Sequence, residues 1–194
     1  VDFVSLSDMP FDSPLGEASG AGVIFGNTGG VMEAALRTAT YLLTGKNPEN
    51  VELKEVRGYQ GIRENEIQVG DVTLRTAVIY GTANAKKFIE DMEKSGKVYH
   101  LIEVMTCPGG CIGGGGQPKD FSKDPDEVRK ARISSIYTRD HEMKERFSHE
   151  NKEIVELYNN FYGKPLSPLA EKMLHTAYVD RSKDLKQGDK KMAK

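Results

Sequence analysis

Two thiols, Cys107 and Cys111, lie four residues apart in the segment LIEVMTCPGGCIGGGGQP at residues 101–118, and they are the only cysteines among the 194 residues. Thiolates are soft ligands that suit iron–sulfur clusters, zinc or copper(I). The glycines around them, Gly109, Gly110 and Gly113 to Gly116, let the backbone approach a bulky inorganic group closely. Successive loop N–H groups can also point at sulfur and help to hold an anionic cluster. The spacing alone leaves three chemistries open: two buried or incidental thiols, a redox disulfide pair, or part of a metal site. A lone C-x3-C is not a zinc ribbon, and a four-ligand site needs two more donors. His100, His141, His149 and His175 do not follow a zinc-ligand spacing. His149 and His175 read instead as hydrogen-bonding anchors of the C-terminal helices.

The elements that must position the cysteines read as an α/β fold, a mixed β-sheet flanked by helices with a C-terminal helical extension. Val1 to Ser7 reads as a short strand. GEASGAGVIFGNTGG at residues 16–30 is rich in small residues, and a helix follows with Val31, Ala34, Ala35, Ala39, Leu42 and Leu43 at helical spacing. Asn27 or Thr28 is placed to cap it and Gly45 to stop it. Val51 to Val56 reads as a strand. Glu66 to Val69 and Val72 to Tyr80 read as a hairpin around Gly70-Asp71, and the apolar second arm suits a buried central strand. Ala83 to Lys94 is an amphipathic helix closed by Gly96, and Val98 to Met105 is the strand that delivers the cysteine loop. Asp126 to Tyr137, Lys152 to Tyr162 and Pro168 to Ala177 read as three further helices. The organisation that results is an α/β lobe at 1–120, a helical element at 121–180 and a basic tail at 181–194.

Glu103 shares the strand face of Met105. If buried it must be paired, most simply with backbone N–H groups of a neighbouring loop. Glu17 reads as a structural hydrogen-bonding residue. Gly20, Gly22 and Gly26 are not at the dinucleotide-loop spacing.

Lys and Arg total 27 against 29 for Asp and Glu, a formal net charge of -2. That balance predicts no nucleic-acid partner and no attraction to an anionic membrane, and no apolar run is long enough to cross one. No signal peptide is visible. The chain opens at Val1 on an apolar segment, which suggests a cleaved product, a subunit or a trimmed chain.

The 101–118 segment resembles the third cluster-binding signature of iron-only (FeFe) hydrogenases, a run of the type E-V-M-x-C-P-G-G-C-x-x-G-G-G-Q-P, from Glu103 and Met105 through Gln117-Pro118. SPLGEASGAGVIFGNTGGVMEAALRT upstream resembles the family's stretch beside its diiron site, and RFSHENKEIVELYNNFYGKPLSPLAEKMLHTAY downstream resembles its helical small-subunit element. The resemblance implies one lobe of a hydrogenase catalytic domain and reversible chemistry in which two protons and two electrons make H2. The implied cofactors are a 4Fe–4S cubane and a diiron subcluster with CO, cyanide and a dithiolate bridge. By the same resemblance Cys107 ligates the cubane and Cys111 ligates the cubane and bridges to the diiron unit. Met105, Phe25 and Gly26 line the diiron pocket, although ordinary core remains the other reading of Phe25 and Met105.

The departure from the family pattern is as informative as the match. The family uses four cysteines on the cubane and this chain holds two; neither a T-S-C-C-P-type nor an M-P-C-x-x-K-type run occurs. The resemblance therefore implies that the N-terminal half of the catalytic domain, in the same parent chain or another subunit, supplies the other ligands. It also implies an electron carrier such as ferredoxin or an NAD(P)H-linked subunit, and a cytoplasmic, anaerobic setting. The competing readings are an iron–sulfur assembly or scaffold protein related to hydrogenases and a cluster-free structural or sensor module.

Overall fold

The computed structural model describes residues 2–10, 12 and 16–182. The basic tail expected at 181–194 lies, beyond Ser182, outside the described residues. The chain divides into two compact units, one ending at Asn151 and the other beginning at Lys152.

The first unit is built on a mixed three-stranded sheet in the order β1-β2-β3. β1 (Ile62–Val69) and β2 (Val72–Tyr80) form the expected hairpin, antiparallel with Val69 opposite Val72. Gly70 supplies the left-handed turn at φ 58°. β3 (Leu101–Met105) pairs parallel to β2, and the crossover between them is the helix Thr82–Ser95, stopped by Gly96. β2 is the central strand, and Ala77, Val78 and Ile79 are fully buried. Successive side chains of a strand point to opposite faces, so each face of β2 receives its own helix. Ala77 and Ile79 pack with Phe88 of the crossover helix. Val78 packs with Met32 and Leu36 of the helix Gly30–Thr44.

In chain order the α-helices of this unit are α1 (Gly20–Val23), α2 (Gly30–Thr44), α3 (Thr82–Ser95) and α4 (Pro125–Glu142). α4 starts in the orthodox way, with Asp124 accepting from the amides of Asp126 and Glu127 and Pro125 in the first turn. Its Ile136 and Tyr137 pack on Ala21, Ile24 and Ala34. Beneath that contact lies a buried charge network. Arg37 donates to Glu33 at 2.8 Å and to both oxygens of Asp140 at 2.9 and 2.8 Å. All three side chains are fully buried. Arg146 reaches Asp140 at 2.6 Å and Arg57 reaches Glu33 at 2.8 Å.

Several boundaries differ from the sequence expectation. Phe3–Ser5 forms a single 3-10 turn in place of the strand expected from Val1 to Ser7. The strand expected over Val51 to Val56 ends in a 3-10 turn at Lys54–Val56. Its backbone groups are taken by side chains of α2, the Val51 carbonyl by Arg37 and the Leu53 amide by Glu33, so the apolar pattern seats Val56 in the core without strand pairing. β3 begins at Leu101 rather than Val98; just ahead of it His100 donates its amide to the Arg75 carbonyl at 2.8 Å and accepts the Arg75 amide on its ring Nδ1 at 2.9 Å. The expected cap of α2 is also revised. The residue before the helix is Gly29, the Asn27 side chain donates to the Ile24 carbonyl, and Thr28 Oγ1 has no partner.

The second unit holds α5 (Lys152–Leu157), a wider π-turn segment Tyr158–Tyr162 that ends at Gly163, and α6 (Pro168–Leu174). Ser167 caps α6 by accepting from the Ala170 amide at 3.1 Å. α6 stops at Leu174, short of the expected Ala177.

The network sets two expectations for stability. Arg37→Met takes from Glu33 and Asp140 the buried guanidinium they share and leaves only Arg57 and Arg146 facing them, and a loss of about 3–5 kcal/mol is expected in urea unfolding; a loss below about 1 kcal/mol would show that the network contributes little. Burial pushes the Asp140 carboxyl up, but hydrogen bonds from Arg37 and Arg146 outweigh it and hold it below the usual aspartate range. A depressed carboxylate contributes stability that is fully present above its unfolded value and lost as pH falls through the folded one. Unfolding free energy should therefore drop steeply below about pH 4, and Asp140→Asn should flatten that drop.

Candidate metal centre

Met105 ends β3 with its side chain half-buried, and the chain passes at once into the cysteine loop. Cys107 is half-buried, Cys111 is exposed, and both are free thiols. Local amides close the loop on itself: Gly110 N–H donates to the Cys107 carbonyl and Gly114 N–H to the Cys111 carbonyl, each at 3.0 Å. Cys111–Gly113 forms one 3-10 turn between them.

The loop is anchored from behind by three elements. Thr28 N–H donates to the Gly109 carbonyl at 3.0 Å. At that junction Gly110 has φ 93°, and a Cβ there would sit 2.8 Å from the Thr28 nitrogen and 2.9 Å from Asn27 Cα; only glycine permits so close an approach of two backbones. Ile112 is buried. From α4, Arg132 donates to the Ile112 carbonyl at 2.9 Å and also to the Pro118 carbonyl.

The third anchor is Glu103, 8% exposed. Its two oxygens accept from Gly29 N–H at 2.6 Å and Met32 N–H at 2.7 Å. The first amides of a helix have no intrahelical partner and carry its positive end. Gly29 has no side chain to cap them, and the carboxylate of a neighbouring strand does so instead. The pairing with backbone N–H groups expected for Glu103 is thus observed. Burial pushes the Glu103 pKa up, and the two amides and Arg63 oppose that shift only in part.

Phe25 and Gly26 lie in the 3-10 turn Ile24–Gly26 that leads into Thr28. The structure brings this turn and the cysteine loop together through the Thr28–Gly109 bond. Phe25 is 46% exposed. The absent Cβ of Gly26 points toward Ile136 Cδ1, 2.9 Å away, and Ile112, so packing on α4 already requires a small residue there.

The histidine rings have partners of their own. The His149 ring bonds Thr38 at 3.2 Å and Asn47 at 2.8 Å and stacks on Tyr41 at 4.3 Å. It is the hydrogen-bonding anchor expected, though it secures α2 within the first unit. His141 pairs with Glu52, and His175 lies beside Glu171. Among the described residues no group of three or more His, Cys, Asp or Glu surrounds a common point, which leaves no Cys2His2 site. The Glu17 carbonyl accepts from Asn151 at 3.2 Å.

The donor set fits one side of an iron–sulfur cluster. The two thiols, one half-buried and one exposed, sit on a loop tied from behind by Thr28, Glu103 and Arg132. A cubane takes four thiolates, and this chain offers two. Three features of the site had no simple sequence signal: Arg132 on α4, the orphaned Thr28 Oγ1, and Arg63 of β1, which donates to the Thr28 carbonyl at 3.0 Å.

Residues 1–115 match the family model "Iron only hydrogenase large subunit, C-terminal domain", and residues 126–181 match "Iron hydrogenase small subunit". The chain is 46% identical over 183 residues to the NADP-reducing hydrogenase subunit HndD of Solidesulfovibrio fructosivorans, covering 94% of this chain and 31% of the relative. A solved structure of FeFe-hydrogenase HydA1 from Chlamydomonas reinhardtii superposes with a TM-score of 0.66 at 39% identity, over 92% of this chain and 51% of that one. The cytosolic Fe-S cluster assembly factor narfl of Xenopus tropicalis is 29% identical over 181 residues, 90% of this chain and 37% of the relative. The chain thus spans about a third of the length of the curated relatives it matches.

Glu103→Gln tests the anchor. A carboxylate whose folded pKa is raised contributes stability that is present below its unfolded value and lost as pH rises through the folded one. The native chain should therefore lose stability on going from about pH 4.5 toward neutrality, and Glu103→Gln should remove that slope in urea titrations at the two pH values. An unchanged slope would mean that Glu103 is not the group responsible.

Proposed function

Because the chain belongs to the iron-only hydrogenase family, we propose that Cys107 and Cys111 hold one side of a 4Fe–4S cubane whose remaining ligands come from the N-terminal half of a hydrogenase catalytic domain. The observation that carries this reading is the pair of free thiols on a loop anchored by Thr28, Glu103 and Arg132, with Cys111 facing solvent. When bound, the cluster and its diiron partner supply reversible interconversion of H2 with two protons and two electrons.

The chain's own residues bind, orient and shield. Cys107 would hold the cubane, and Cys111 would hold the cubane together with its diiron partner. Met105, a soft and adaptable side chain, and Phe25 wall the diiron pocket, and Gly26 keeps the adjoining turn tight. Glycines let the loop backbone come close to the cluster. Residues 121–180 form the small-subunit-like element, a reading supported by the family match at residues 126–181. Electrons pass to ferredoxin or an NAD(P)H-linked subunit, a reading supported by the NADP-reducing relative, in an anaerobic cytoplasm. Among the described residues no helix is long and apolar enough to cross a membrane.

Protein-bound iron after anaerobic reconstitution tests the reading. The chain should hold little iron alone and cubane amounts when combined with the upstream half of the catalytic domain, and Cys107→Ala should abolish the gain. No iron in the mixture would refute it. An H2 assay on the matured mixture separates the enzyme from the assembly-factor reading, which the narfl relative represents: iron without H2 turnover would favour the latter.

A further inference from the structure

Two guanidinium groups of the first unit are deeply buried, and they are treated differently. Arg37 is matched by the carboxylates of Glu33 and Asp140. Arg63, 8% exposed, donates only to carbonyl oxygens: Nη1 to Gln60 at 2.8 Å, and Nη2 to Thr28 at 3.0 Å and Val56 at 3.3 Å. Its Nε has no partner. An arginine does not shed its proton in a protein, and a buried charge without a counter-charge is costly. Glu103 is the one carboxylate whose field acts noticeably on it, and both Glu103 oxygens are already committed to the amides of α2.

The direction in which Arg63 is aimed gives that cost a use. The Thr28 carbonyl it holds belongs to the residue whose N–H donates to Gly109, and the Gly110 N–H in turn donates to the Cys107 carbonyl. The junction is tight enough to exclude a Cβ at Gly110 and to leave Thr28 Oγ1 buried and unpartnered. A fixed positive charge thus stands behind the cysteine loop, shielded from water, one short run of hydrogen-bonded peptides from Cys107. A thiolate-bound iron–sulfur cluster is anionic, and charges in a water-excluded interior act over a longer range than at the surface. Net charge and hydrogen bonding near such a cluster set its reduction potential.

We infer that Arg63 is a positioning residue of the cluster site, which clamps the Thr28 carbonyl behind the cysteine loop and whose uncompensated charge raises the reduction potential of the cluster held at Cys107 and Cys111. The inference rests on reading those cysteines as cluster ligands. Glu103 supplies the opposing field, so the two residues should move the potential in opposite directions.

The test is a dithionite redox titration of the cubane, followed by electron paramagnetic resonance in the chain combined with its upstream half. Arg63→Gln should lower the ratio of reduced to oxidised cluster at a fixed potential about tenfold, a shift of about 59 mV for one electron. Arg63→Lys, which keeps the charge, should restore most of it at equal iron content. Glu103→Gln should raise the ratio. An unshifted potential in Arg63→Gln overturns the inference while leaving the ligand reading intact. If Arg63→Gln fails to hold iron, the other two variants decide: a native-like potential in Arg63→Lys with a raised one in Glu103→Gln supports the inference, and any other result overturns it. Absence of iron in the unsubstituted mixture overturns both the ligand reading and this inference.

Discussion

The guanidinium of Arg37 is the point on which the first unit depends. It carries five N–H donors and all five are used: on Val51, on Arg146, on Glu33 and twice on Asp140. Those acceptors come from α2, from the extended segment ahead of the sheet, from α4 and from the segment after it. A hydrophobic contact among the same elements would tolerate sliding. A planar fork of donors in a water-free site has one satisfying arrangement, and any displacement leaves a charge or a carbonyl unpaired. Gly20 shows how tightly the arrangement closes, since a Cβ there would lie 2.1 Å from Asp140 Oδ1.

Fixing α2 in this way fixes the site. The N-terminal end of α2 meets β3 through Glu103, and the turn ahead of it meets the cysteine loop through Thr28 and Gly109. The loop is therefore tied to the protein at several points, although it has few side chains of its own. Polar groups do the positioning on the inner side of the loop, and the outward side is left to the thiols. Such a division suits a site that must receive a cluster and further ligands without rearranging its own backbone.

Charge is distributed unevenly around this core. On the α4 side every ion of the network has a partner of opposite sign. On the cysteine side a carboxylate sits on helix amides and a guanidinium on carbonyl oxygens, with no ion pair within 4 Å between them among the described residues. The first arrangement serves stability. The second leaves an oriented field at the place where an anionic group is proposed to bind.

Local pattern was enough to read much of this chain. The central strand, the hairpin turn at Gly70, the stops of α2 and α3 at Gly45 and Gly96, and the cysteine loop all follow from nearest-neighbour chemistry, which period, turn type and ligand softness encode directly. The resemblance of the cysteine segment carried the family. Elements defined by a distant partner were not legible in the same way. Val51 to Val56 has a strand pattern but is claimed by Arg37 and Glu33. The cap of α2 comes from a residue 74 positions away rather than from Asn27 or Thr28. Asp140, 103 positions from Arg37, lies on a helix whose mixed polar sequence gives no sign of a buried charge. Arg63 reads as one of 27 basic residues, and only the folded chain places it behind Cys107. Sequence determined the local elements and, through the resemblance of the cysteine segment, the family, because turn type, helix period and motif are local. Tertiary structure decided what holds that loop and which charges face it, because a hydrogen bond or a buried ion pair depends on distance in space and not along the chain.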